Sequence, residues 1–149
     1  MQISEQFLPY EFKTVLLVCD HLHGKVYHAH GREFKRVQEW NNERLDMTTD
    51  TERYQTANGA QHFSAQDEGF KEREGNKFYQ ELANHLFELK HGEGFEKLIL
   101  VVPHEDKNVL EEMLHDDVKR VLERTIPKQL TKVSDEDLVE AVDNERRIT

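Results

Sequence analysis

Two uninterrupted apolar runs dominate the hydrophobic pattern of this chain. The first lies within residues 13–20 and the second within residues 97–102, and both are rich in valine, leucine and isoleucine. Runs that are apolar at every position are typical of central strands, which are covered on both faces. The pattern therefore predicts two buried strands of one sheet, with helices on both faces of that sheet.

A strand meander is expected directly after the first run. Residues 25–30 alternate between the two faces of a strand, and residues 32–40 alternate with one slip near Val37. Alternation with a period of two is typical of strands, and Gly24 and Gly31 mark the turns between them. We therefore expect three consecutive antiparallel strands at one edge of the sheet.

The second half of the chain shows helical periodicity. Residues 71–91 carry a wide apolar stripe, residues 107–115 carry a shorter one, and Ser134 is placed to cap a third helix. Apolar residues spaced by three and four are typical of amphipathic helices that cover a core. Residues 118–126 lead into a strand or a helix end that stops near Pro127.

This order of elements implies one α/β domain with a mixed sheet, in which an antiparallel meander joins parallel αβ units. The length of 149 residues suits a single domain, with residues 1–12 as a leader. Residues 41–76 are mostly polar and are expected to form a long loop. Structureless loops of that length are usually either functional or disordered, so this loop is the first candidate for a contact surface and also a candidate mobile segment.

The charge balance argues against several classes of function. The chain has 30 acidic and 20 basic residues, a net charge of −10 and a pI near 5.3. A negative net charge repels nucleic-acid phosphates and anionic lipids, so we expect neither nucleic-acid binding nor membrane binding from it. No apolar run approaches the ~20 residues of a transmembrane helix, and the N-terminal residues lack the basic and apolar regions of a signal peptide.

The single cysteine, Cys19, lies inside the first apolar run. It has no partner for an internal disulfide, and its surroundings are typical of a small buried hydrophobic residue rather than a nucleophile. This use of cysteine indicates a reducing compartment, and the sequence therefore predicts a cytoplasmic protein.

Two pairs of histidines, each with one residue between them, raise the alternative of a metal site. The four residues are His21, His23, His28 and His30. Residues two apart on a strand share a face, so each pair offers two imidazoles to one ion. Asp20, His62 or His104 would supply a third ligand. The sequence contains no zinc-protease motif, phosphate-binding glycine loop or nucleophilic serine motif, and it predicts no cofactor.

Five motifs follow one another in a fixed order along the chain. An apolar strand ends in an acid at residues 17–20, and a short turn leads to residues 25–27. After the polar stretch come an aromatic-bearing helix at residues 77–83, a strand at residues 95–103 and the ending at residues 126–131. In the order of these motifs the chain resembles the bacterial host attachment family, whose name refers to attachment to host cells, and the resemblance covers nearly the whole chain.

That family is in turn similar to the middle domain of archaeal and eukaryotic peptide-release factors. The resemblance implies a ribosomal-protein-like α/β fold, with a Gly-Gly-Gln tip between the meander and the long helix. The corresponding residues here are Asn58, Gly59, Ala60, Gln61 and His62, in which alanine replaces the second glycine. By this resemblance, Gln61 would orient the water that hydrolyses peptidyl-tRNA.

Three functional interpretations follow. The first and favoured one is a non-enzymatic accessory protein that contacts the ribosome or a protein partner through residues 41–76. The second is a hydrolase of peptidyl-tRNA or a related ester, with Gln61 as its catalytic residue. The third is a metal-binding protein that uses the four paired histidines. The edge of the meander also offers a surface for pairing with a second copy, so a homo-oligomer is a further expectation.

Overall fold

A computed structural model describes residues 1–45 and 60–148, with the backbone alone for residues 60–68. It contains one five-stranded sheet in the order β3-β2-β1-β4-β5. The strands are β1 (Tyr10–Cys19), β2 (His23–Gly31), β3 (Glu33–Asn41), β4 (Lys97–Val101) and β5 (Leu122–Ile126). The pairs β1–β2 and β2–β3 are antiparallel, and the pairs β1–β4 and β4–β5 are parallel. The predicted mixed sheet with its antiparallel meander is therefore confirmed.

Helices lie on both faces of this sheet, as predicted. Those whose bounds the structure describes are α1 (Ala60–Gly92), α2 (Lys107–Met113), α3 (Asp116–Lys119) and α4 (Asp135–Arg146), with a 3-10 helix at His104–Asp106. The helices α1, α2 and α3 cover one face, called the α1 face below, and α4 covers the other, called the α4 face. The stretch before Pro127 thus resolves into the short helix α3 followed by the strand β5.

Alternate residues of the central strands explain why their sequences are apolar at every position. On β1, Leu17 packs on the α1 face and Leu16 packs on the α4 face. On β4, Leu100 and Ile99 divide in the same way, and all four side chains are fully buried. Each central strand therefore contributes to two cores, which requires apolar residues in both alternating positions.

The slip predicted near Val37 is a bulge in β3. The register between β2 and β3 shifts at this point, because Val26 pairs with Gln38 whereas Tyr27 pairs with Arg36. Val37 is the extra residue between these two pairs. Because of the bulge, Phe34 and Trp40, which are six residues apart and would share a face of a regular strand, lie on opposite faces: Phe34 packs on the α4 face and Trp40 on the α1 face.

The prediction of a loop over residues 41–76 is wrong at both ends. Strand β3 continues to Asn41, and α1 already begins at Ala60, so residues 60–76 are helical. This part lacks proline, and eight of its 17 residues are alanine, glutamine, glutamate or lysine, which are good helix formers. Because extending a formed helix is far easier than nucleating one, these residues continue the packed half of α1. Residues 46–59 lie outside the described residues.

The leader is packed onto the α4 face. Ile3 is buried there, and Gln2 forms an antiparallel bridge with Glu33 of the edge strand β3. The guanidinium of Arg146 donates a hydrogen bond to the carbonyl of Leu8 at 2.9 Å. The leader therefore covers part of the sheet edge that the sequence offers for pairing with a second copy.

Two smaller expectations are also met. The hydroxyl of Ser134 accepts a hydrogen bond from the backbone N–H of Asp137 at 3.1 Å, as an N-cap does. Cys19 is buried, and burial raises the pKa of its thiol well above the ordinary value.

Over residues 1–45 and 60–148, no helix combines the length and the apolar character that crossing a membrane requires.

Candidate functional site

The carboxyl ends of β1, β4 and β5 lie at one edge of the sheet, because these three strands are parallel. From β1 the chain turns towards β2, and from β4 it proceeds towards β5 on the opposite side. A crevice forms at the carboxyl edge of a sheet where the connections that leave two neighbouring parallel strands run to opposite sides. Here a cavity of about 420 Å³ lies at that edge, and we call it the carboxyl-edge crevice. It is lined by Asp20, His21, Leu22, Pro103, His104, Glu105, Asp106 and Gln129.

Asp20 is the most strongly bonded side chain of this crevice. One carboxylate oxygen accepts hydrogen bonds from the backbone N–H groups of Leu22 at 2.8 Å and His23 at 2.7 Å. The other oxygen accepts from the amide of Gln129 at 2.6 Å and the hydroxyl of Thr131 at 2.8 Å. These four donors saturate the carboxylate. Asp20 therefore joins the end of β1 to the segment after β5 and has little capacity left for a ligand.

His21, Tyr79 and Asp106 form a second cluster in the crevice. The hydroxyl of Tyr79 donates a hydrogen bond to Oδ2 of Asp106 at 2.7 Å, and Nε2 of His21 lies 3.5 Å from the same oxygen. The rings of His21 and Tyr79 are in contact, with their centroids 5.0 Å apart. Burial raises the pKa of Tyr79 well above its ordinary value, and Cys19 and Asp106 raise it further. The tyrosine therefore stays neutral and acts as a hydrogen-bond donor.

A glycine in α1 makes room for this histidine. A Cβ atom at Gly75 would lie only 2.3 Å from Cγ of His21, so any other residue at position 75 would displace the ring. No prediction from the sequence assigned this role to Gly75. The available signal was an isolated glycine inside a helical pattern, which often marks a close approach of another group.

Polar contacts fasten the end of β3 to α1 beside the crevice. The side-chain amide of Asn42, which is buried, donates hydrogen bonds to the carbonyls of His21 at 3.0 Å and Glu74 at 3.2 Å. The carboxylate of Glu74 lies 3.3 Å from Nε of Arg44 and 3.1 Å from Nζ of Lys77. We call Asn42, Arg44 and Glu74 the polar clamp. Sequence reasoning did not single them out, because three polar residues in a polar stretch carry no distinguishing pattern.

The four histidines proposed as metal ligands lie in different surroundings. His21 faces the crevice, whereas Nδ1 of His23 lies 2.9 Å from the side-chain oxygen of Asn41. Nε2 of His28 lies 3.7 Å from a glutamate carboxylate, and His30 is exposed. Among the residues that the structure describes, no three His, Cys, Asp or Glu side chains are grouped so that they could hold a metal ion.

The sequence predicts the Gly-Ala-Gln stretch in a loop between the meander and the long helix, but its last two residues belong to the helix itself. Ala60, Gln61 and His62 are the first three residues of α1. Asn58, Gly59 and the side chains of the other three lie outside the described residues. The catalytic role of Gln61 therefore stays a prediction.

Comparisons with known proteins identify one matching family and one similar solved structure. The sequence model of bacterial archaeo-eukaryotic release factor family 12 matches residues 13–142. No curated protein sequence matches the chain. Among solved structures, the archaeal translation termination factor aRF1 is similar, with 13% sequence identity and a TM-score of 0.49. The similarity covers 90% of this chain and 39% of that factor, so the chain spans less than half of its length.

Proposed function

Since the chain belongs to bacterial archaeo-eukaryotic release factor family 12, we propose that it is an accessory protein of translation that contacts the ribosome. The observation that carries this proposal is the extent of the family match, which runs from β1 into α4. A ribosome contact places the protein in the cytoplasm, as its use of cysteine also suggests. The resemblance to the host attachment family stays a prediction beside this proposal.

The contact surface that we propose is residues 41–76. In α1, the first buried side chain in the described part is Glu74, and residues 71–73 are exposed. Since an α-helix rises about 1.5 Å per residue, the stretch from Ala60 to Glu74 corresponds to about 21 Å of helix. The polar clamp holds this helix against the end of β3 at Glu74. The proposed surface therefore starts from a fixed base on the sheet.

The net charge of −10 sets a condition on this contact. Ribosomal RNA is bound mainly by neutralising phosphates, so the cations that face it must be concentrated locally. Arg73 is an exposed cation on the proposed surface. A reversal of its charge should therefore weaken the contact more than the same reversal elsewhere on the molecule.

The test is co-sedimentation of the full chain with ribosomes of its own host at low and moderate salt. We expect binding at low salt that weakens as salt rises. In the Arg73→Glu variant, the slope of log K against log salt should fall by about one if the arginine meets a phosphate. The matched control is Lys119→Glu, which makes the same charge change at an exposed site on α3 and should keep the wild-type slope.

Two results would overturn the proposal in different ways. Wild-type protein that stays in the supernatant at both salt concentrations would remove the ribosome contact altogether. Equal losses in Arg73→Glu and Lys119→Glu would remove the assignment to residues 41–76, because only the net charge would then matter.

A further inference from the structure

The open part of the sheet edge at β3 is complementary to itself, and we propose that two copies of the chain pair through it as antiparallel strands. Strand β3 is the outermost strand on this side of the sheet. Among the described residues, the backbone bonds to its outer side come from the leader. They reach no further than Phe34, whose N–H donates to the carbonyl of Met1 at 2.8 Å. Residues 35–40 therefore remain open for pairing.

The backbone groups of Arg36 and Glu39 both point outward from this stretch. Bonding direction alternates along an antiparallel strand, so the outward bond of Phe34 places the N–H and C=O of Arg36 outward as well. From the other end of the strand, the N–H of Asn42 bonds inward to the carbonyl of Leu22, which places Glu39, three positions earlier, outward. The interval between the two outward residues is three rather than two because the bulge of β3 lies between them.

The side chains of these two residues also share a face of the sheet. Arg36 pairs with Tyr27 of β2, and Glu39 pairs with Lys25, which lies two residues before Tyr27 on the same strand. Paired residues of antiparallel strands point to one face, and so do residues two apart on one strand. Since Tyr27 packs on the α4 face, both side chains lie on that face. They are 42% and 48% exposed, so both are available to a second strand.

A two-fold axis at the bulge brings opposite charges together. Antiparallel pairing of Arg36 with Glu39 of the second copy also pairs Glu39 with Arg36 of that copy, since a two-fold interface repeats each contact. Opposite charges directly across two strands stabilise the pairing, whereas like charges there destabilise it. Across the paired stretch 35–40 no like charges meet, because Lys35 falls opposite Trp40. The occupant that this edge fits is therefore a second copy of the chain.

Two apolar residues at this edge support the same occupant. Val37 and Trp40 pack on the α1 face but remain partly exposed. A strand added beside β3 would cover their outer side, and the burial of apolar surface favours association. The opposite edge of the sheet offers less, since β5 has only five residues and the next residue, Pro127, lacks an N–H group.

The experiment measures the molar mass of the full chain by sedimentation equilibrium over a range of concentrations, without ribosomes, and we expect a monomer–dimer equilibrium. Arg36→Glu sets glutamate against glutamate across the axis, and Glu39→Arg sets arginine against arginine. Each variant alone should raise the dissociation constant of the dimer by about tenfold. An equimolar mixture of the two variants should recover the association, since every charge then faces an opposite charge again.

Arg120→Glu on α3 is the matched control, because it makes the same change of charge as Arg36→Glu at an exposed site away from β3 and should leave the dissociation constant unchanged. Circular dichroism of all variants checks that the fold is kept. A wild-type chain that stays monomeric up to about 1 mM would overturn the proposal. So would a mixture that associates no better than either variant alone, or equal weakening in Arg120→Glu and Arg36→Glu.

Discussion

The two faces of the sheet are covered in different ways. On the α1 face, which α2 and α3 also cover, the 33-residue helix α1 approaches the sheet closely. A Cβ atom at Gly24 would lie 2.8 Å from Cδ2 of Leu82, and Gly75 gives the same kind of room to His21. The close packing on this face therefore requires residues without a side chain at positions 24 and 75.

On the α4 face, a short helix and the leader share the cover, and polar side-chain tips join them. The hydroxyl of Tyr27 donates to Asp135 at 2.9 Å, and the guanidinium of Arg146 lies 3.7 Å from the ring centroid of Tyr10. Arg147 donates to the carbonyl of Gln6 at 2.8 Å. Changes in side-chain size should therefore affect stability more at the α1 face than at the α4 face, and changes in charge should affect it more at the α4 face.

The largest losses of stability are expected when one buried leucine on each face is shortened to alanine. Leu82→Ala should lower the free energy of unfolding by about 3–4 kcal/mol. Leu82 is buried between α1 and the sheet, so the cavity left by the substitution is enclosed and cannot collapse. Leu138→Ala, in the first half of α4, should lower it by about 2–3 kcal/mol, since a terminal turn can relax into the space. Urea unfolding measures both. A larger loss at Leu138 would contradict the proposed difference between the faces.

Two glycines of α1 test how strongly stability depends on side-chain size at the α1 face. Gly75→Ala should destabilise the protein by about 1–3 kcal/mol, because its new Cβ overlaps the His21 ring. Gly69→Ala should instead stabilise it by about 0.5–1 kcal/mol, since alanine is the better helix former. The Cβ added at position 69 meets only the end of Arg73, at 3.4 Å. Thermal or urea unfolding decides, and the same sign for both variants would refute the close approach at Gly75.

The smallest expected effect is a pH dependence of stability that arises from a tyrosine on the α4 face. Burial is the main cause that raises the pKa of Tyr10 from 10.0 to about 12, although Arg146 opposes the shift. The folded state therefore keeps this proton longer than the unfolded state does. The stabilisation is complete below pH 10 and is lost as pH rises towards 12, by about 1.4 kcal/mol for each pH unit.

Urea unfolding at pH 9 and pH 11 measures this loss. In Tyr10→Phe, the decline between the two pH values should be smaller than in the wild-type protein by about 1.4 kcal/mol. An unchanged decline would show that Tyr10 does not contribute to it.

Much of the fold could be predicted from local patterns. The slip near Val37, the cap at Ser134 and the burial of both faces of β1 follow from side-chain alternation and from short-range hydrogen bonding. The early start of α1 at Ala60 could not be predicted in this way. Its N-terminal part is polar and shows no clear apolar stripe, so the periodicity that marks a helix begins only in its packed half.

Apart from the N-terminal part of α1, the positions of the main strands and helices and the apolar faces of those elements could be read from the sequence, because these properties depend on neighbours a few residues apart. The carboxyl-edge crevice, in contrast, depends on contacts between distant parts of the chain. Asp20 is bonded there to Gln129 and Thr131, 109 and 111 residues away, and the ring of His21 lies against Gly75. These contacts arise because parallel strands bring distant chain segments to one edge of the sheet, and no local pattern of residues records which segments will meet.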